Sequence, residues 1–119
     1  MTLAAERAEM VATIREWVER EVIPVASEYE HEDRFPDGLV EQMKELGLFG
    51  VTIPEEYGGM GLDLTTYAMI VEELSRGWIS ISGVVNTHFI GSYLVRGFLR
   101  LAKIFLGCLK VIPHSEAAA

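Results

Sequence analysis

Pro54 and the glycines at 58, 59 and 61 leave the chain few options between Val51 and Asp63. Proline removes a backbone donor and fixes φ, so no helix runs through it, and closely spaced glycines supply conformations that other residues adopt only at a cost. The segment reads as a tight loop entered by an extended stretch at 51–53. Asp63 then stands where an N-cap belongs. Leu64, Tyr67, Ala68, Val71 and Leu74 come next at helical spacing, which predicts a helix with these five on its buried face and Gly77 at its end.

Upstream, Met10, Ile14, Trp17, Val18, Val22, Val25 and Tyr29 advance by threes and fours, predicting a long amphipathic helix over residues 3–29. Thr2 is its expected cap, Glu16 and Arg20 a helix-face ion pair, and Pro24 a kink or split. A second helix is expected after Phe35-Pro36-Asp37, with Leu39, Val40, Met43 and Leu46 buried, Gly47 left-handed, and Leu48 packing back across it. Residues 78–95 carry no Asp, Glu, Lys or Arg, which predicts a helix buried on most sides. Residues 97–112 place Phe98, Leu101, Ala102, Phe105, Leu109 and Ile112 on one stripe, with Arg100, Lys103 and Lys110 largely opposite. This is the pattern of a cationic amphipathic helix, and residues 113–119 read as a tail. The expected fold is therefore all-α, an up-and-down bundle of about four to six helices.

Charge divides the chain. Residues 1–76 hold six basic and seventeen acidic side chains, whereas residues 77–119 hold four basic and one acidic. Phosphate contacts need clustered Lys and Arg, so the acidic majority argues against nucleic-acid binding. Polar or glycine interruptions, among them Ser80, Ser82, Gly83, Asn86, Thr87 and His88, argue against a membrane span in the uncharged helix. The acids at 28–33, with His31 among them, read as a solvated face, since no second ligand cluster lies at a compatible spacing; no metal site is expected. Cys108 is the sole cysteine, and the first residues lack an apolar signal core. The expected location is cytoplasmic. With 50% hydrophobic residues the chain has apolar surface to spare, which points to self-association.

No catalytic constellation emerges. Gly58-Gly-Met-Gly lacks the Lys-Ser/Thr of a phosphate loop, Glu72 and Glu73 diverge on a helix, and the histidines, serines and cysteine show no nucleophile–base spacing.

Pro54-Glu-Glu-Tyr-Gly-Gly-Met-Gly-Leu62, continued by a helix ending Val71-Glu-Glu-Leu-Ser-Arg-Gly77, resembles the N-terminal helical domain of the flavin-dependent acyl-CoA dehydrogenases. The likeness extends upstream through Leu46-Gly-Leu-Phe-Gly-Val51 and downstream through Asn86-Thr-His-Phe89. It covers residues 3–96, read as an acyl-CoA dehydrogenase N-terminal-like domain, whereas residues 97–119 depart from the family as a divergent helix and tail. The resemblance implies α,β-dehydrogenation of acyl-CoA thioesters by a complete enzyme using FAD. It also implies that the base and the main flavin contacts come from other domains, so that this chain alone binds no flavin and is inactive. By position, Gly83, Asn86, Thr87 and Ile90 would line the acyl-chain cavity, although hydrogen bonds of Asn86 and Thr87 to neighbouring helices would explain them equally well. A truncated or frame-shifted product, a splice form or an excised domain would each read this way. The alternative is a non-catalytic helical module that binds a partner through its cationic C-terminal helix.

Overall fold

The computed structural model describes residues 2–110, with side chains to Leu101. The stripe positions from Ala102 to Leu109, the cations Lys103 and Lys110, Ile112 and the tail lie outside the described side chains. The fold is all-α, and no strand occurs among the described residues. Two compact units divide at Thr87 and His88.

The first unit opens with α1 (Leu3–Trp17), where the Thr2 hydroxyl accepts from the Ala5 amide at 3.2 Å. A π-helical turn, Val18–Val22, then leads into α2 (Ile23–His31). Pro24 explains this placement. Lacking an N–H, it cannot donate to the Arg20 carbonyl, and it is tolerated in the first turn of a new helix; the Ile23 amide meanwhile reaches back five residues to the Val18 carbonyl. The expected split thus occurs one turn before the proline. Glu16 and Arg20 form their expected pair at 3.6 Å.

After α3 (Asp37–Glu45), Gly47 turns left-handed at φ 75°. Two short 3-10 turns, Leu48–Gly50 and Glu55–Tyr57, lead to α4 (Leu64–Gly77). The extended entry expected at 51–53 is not observed. Val51 is helical (φ −52°, ψ −47°) and the Ile53 amide bonds the Gly50 carbonyl, so the loop begins as a turn. Asp63 caps α4, its carboxylate accepting from the Thr66 amide at 2.9 Å.

The core lies among α1, the π turn, α3, α4 and the start of α5 (Ile79–Lys110). Ile14, Met43, Leu48, Ile70, Leu74 and Ile81 are fully buried, each worth about 1.5–3 kcal/mol relative to exposure. In α4 the buried set is Thr66, Tyr67, Ile70, Glu73 and Leu74, rotated from the predicted stripe; Leu64 and Ala68 are exposed and Val71 is half-buried. The rotation places two polar residues against α1, which their hydrogen bonds permit: Arg7 donates to the Thr66 hydroxyl at 3.0 Å, and Arg15 to Glu73 at 2.5 and 2.9 Å.

The uncharged stretch also departs from expectation. Trp78 precedes the helix in extended conformation, and a single helix continues past Gly97 where two were predicted, since one glycine costs only about 1 kcal/mol in a helix interior. Trp78, Ile81, Ser82 and Val85 are buried in the first unit, but Gly83, Asn86 and Thr87 are exposed. In the second unit, His88 is exposed, as are Ile90, Tyr93, Leu94, Val95, Phe98, Leu99 and Leu101. Among the described residues, no helix is long and apolar enough to cross a membrane, and no group of three His, Cys, Asp or Glu could hold a metal ion.

Candidate functional site

Two of the sequence-derived candidates sit where the buried face of α5 ends. The Tyr67 hydroxyl, on α4, donates to Asn86 Oδ1 at 3.1 Å, joining the two helices. Burial of the Tyr67 ring pushes its phenol above the ordinary tyrosine range, so the hydroxyl stays protonated as a donor. Among the described residues Thr87 is tied locally, its hydroxyl donating to the Gly83 carbonyl at 2.9 Å one turn back. Neither bond satisfies every polar atom of an exposed Asn or Thr. A Cβ added at Gly83 would meet open space. Gly83, Asn86 and Thr87 therefore form an uncharged, lightly polar patch of the first unit, close to one another through α5. Ile90, half exposed, belongs to the second unit.

The glycine loop is not a phosphate cradle. The amides of Gly58, Gly59, Met60, Gly61 and Leu62 donate to the carbonyls of Glu55, Pro54, Gly50, Ile53 and Val51, at 2.8–3.2 Å. Phosphate binding requires such amides to point outward, unpaired. Glu55 and Glu56 beside the loop would also repel an anion. The diphosphate of a flavin dinucleotide does not fit here.

The most elaborate polar assembly is one that periodicity cannot reveal. Glu73, buried, accepts from Arg15 on α1 and from Arg76 on its own helix at 3.0 Å, and Arg76 reaches on to Glu19 at 2.6 Å. Arg15 foremost, then Arg76, hold the Glu73 carboxyl below the ordinary glutamate range, outweighing the opposing effect of burial. Asp63 is likewise held low, chiefly by the Thr66 hydroxyl and amide, with Arg7 paired to it as well. These carboxylates are clamps between helices, already saturated with donors, and none is placed as a free base.

The clamps make stability depend on pH. Because both folded-state pKa values are depressed, they contribute stability that is present above the unfolded carboxylate range and lost as pH falls through the folded values. Urea unfolding should give constant stability above about pH 5 and a decline below about pH 4. Glu73→Gln should lower the neutral-pH plateau by about 1–2 kcal/mol and flatten the acid decline, since its arginine partners remain partly solvated. An unchanged plateau and slope would show that the network contributes nothing.

Comparison with known proteins adds the family. The family model described as Acyl-CoA dehydrogenase, N-terminal domain, matches residues 4–98. Short-chain specific acyl-CoA dehydrogenase of Sus scrofa is 41% identical over 88 residues, covering 71% of this chain and 21% of the relative. An acyl-CoA dehydrogenase of Bacillus subtilis is 32% identical over 88 residues (74% and 23%). Glutaryl-CoA dehydrogenase of Desulfococcus multivorans is 35% identical over 92 residues (75% and 24%). The chain thus spans 21–24% of the length of these relatives. Its loop, its capped α4 and its matched residues together make this chain a member of the acyl-CoA dehydrogenase family, carrying the family's N-terminal helical domain.

Proposed function

We propose that this chain serves an acyl-CoA dehydrogenase type of oxidoreductase by forming part of the wall of the acyl-chain cavity, with Gly83, Asn86 and Thr87 of the first unit toward the substrate, and with Ile90 of the second unit taken separately as a chain-lining residue. The observation that carries this reading is the uncharged exposed patch at Gly83, Asn86 and Thr87, on a stretch of α5 that is buried on its other face and carries no charge up to Val95. An apolar chain excludes water from such a surface without stranding a charge, whereas a Lys or Glu there would have to be desolvated. The domain's part is shape and dryness, not proton transfer. FAD and the acyl-CoA belong to the complete enzyme. The exposed apolar residues of the second unit support self-association when the chain is alone.

Thr87→Trp tests the wall reading, because among the described residues Thr87 is bonded within its own helix and can be enlarged without breaking an interhelical hydrogen bond. In a full-length acyl-CoA dehydrogenase carrying these residues, kcat/KM should fall for long acyl chains and stay nearly constant for short ones. Each misfit methylene is worth about 1–3 kcal/mol. Equal loss at every chain length would assign Thr87 to folding.

A further inference from the structure

In the first unit, α2, the segment leading into α3 and the start of α5 enclose an open recess of about 340 Å³. Its chemistry is uneven. Phe35, Pro36 and Val84 give it apolar walls, Tyr29 and Trp78 stack with centroids 5.7 Å apart, and Glu30 and Asp33 bring two carboxylates. Glu30 is positioned by the Trp78 indole N–H, at 2.5 Å, and the Ser80 hydroxyl, at 3.0 Å, both on Oε1. These bonds keep its carboxyl below the ordinary glutamate range. Asp33 makes no ion pair among the described residues. Arg34, the cation among the described lining residues, pairs with Glu32 at 3.1 Å and Glu28 at 3.5 Å, and its guanidinium lies over the Tyr29 ring. It leaves Glu30 and Asp33 uncompensated.

We propose that this recess binds a small organic ammonium ion, with the charge set against Glu30 and Asp33 and the alkyl groups against Phe35, Pro36 and Val84. An anion would meet two carboxylates. A metal ion would find too few ligands, and a neutral apolar guest would have to desolvate both acids with nothing to replace the water. An alkylated ammonium answers both features, since aromatic rings and carboxylates attract its diffuse charge and its methyl groups fill apolar space. None of Gly83, Asn86 and Thr87 lines the recess, so the proposal does not rest on the proposed cavity wall.

The experiment is a titration of the full chain with choline, read on the two tryptophan indole N–H signals by NMR. The Trp78 signal should shift saturably while that of Trp17, bonded to Gln42 in the core, stays still. The neutral isostere 3,3-dimethylbutan-1-ol should bind at least about fivefold more weakly, as should choline to Asp33→Asn, in line with cation contacts at exposed sites. Asn tolerates the left-handed conformation found at Asp33, φ 48°, so this variant should fold. The proposal is overturned if the isostere binds as well as choline, if Asp33→Asn binds choline unchanged, or if the Trp78 signal shows no saturable shift beyond that caused by sodium chloride at the same ionic strength.

Discussion

Gly59→Ala should destabilise the chain by about 3 kcal/mol or more, and Gly58→Ala, one residue away, by only about 1 kcal/mol. The reasons differ. Gly58 adopts φ 85° with open space around the position of a Cβ, so alanine there meets backbone strain alone. Gly59 is not among the left-handed glycines, yet a Cβ on it would lie 2.1 Å from the Ile53 carbonyl oxygen and 2.4 Å from the Ile53 Cβ. That carbonyl cannot simply move aside, because it accepts from the Gly61 amide at 2.8 Å, while the flanking amides of Met60 and Leu62 are bonded to Gly50 and Val51. Relieving the clash means opening a net of backbone hydrogen bonds, each costly to leave unmade. Urea denaturation of the two variants decides the matter. Equal costs would mean that the loop adjusts freely, and that its hydrogen bonds do not lock it.

The local features of this fold were legible because their causes are local. Thr2, Asp63 and Gly47 act within three residues of where they stand, so caps and turns could be read directly from spacing and residue type. The loop was legible as a loop, but only two of its three glycines are there for a left-handed φ; Gly59 answers to a backbone that approaches from Ile53, which spacing does not encode. Glu73 shows the same limit more strongly. Its partner Arg15 lies 58 residues away, and counting apolar side chains alone rotated the predicted face of α4 away from Thr66 and Glu73. Of the candidate site, Asn86 does bond across to α4 and Thr87 stays within α5, a distinction that depends on where Tyr67 reaches. The recess beside Trp78 had no sequence signal, since Glu30 and Trp78 are distant along the chain.

Gly77→Ala should lower stability by about 2–3 kcal/mol, and the loss should shrink in a background of Val18→Ala. At Gly77 a Cβ would lie 2.4 Å from Val18 Cγ1 and 3.3 Å from Val22 Cγ1, both side chains being fully buried. Valine has little χ1 freedom in a helix, and these two belong to the π turn that sits ahead of Pro24. The end of α4 can therefore come this close to the π turn only without a side chain. Val18→Ala alone should cost about 2 kcal/mol as a cavity. Combined with Gly77→Ala, the introduced methyl would occupy part of that space, so the double variant should lose at least about 1 kcal/mol less than the two single losses together. The same contact fixes where Trp78 leaves α4, and Trp78 carries the indole that positions Glu30. Gly77→Ala should consequently shift the Trp78 indole N–H signal even under conditions where the chain remains folded. Strict additivity in the double variant, with the Trp78 signal unmoved, would show that the π turn and the end of α4 are not in the close contact argued here.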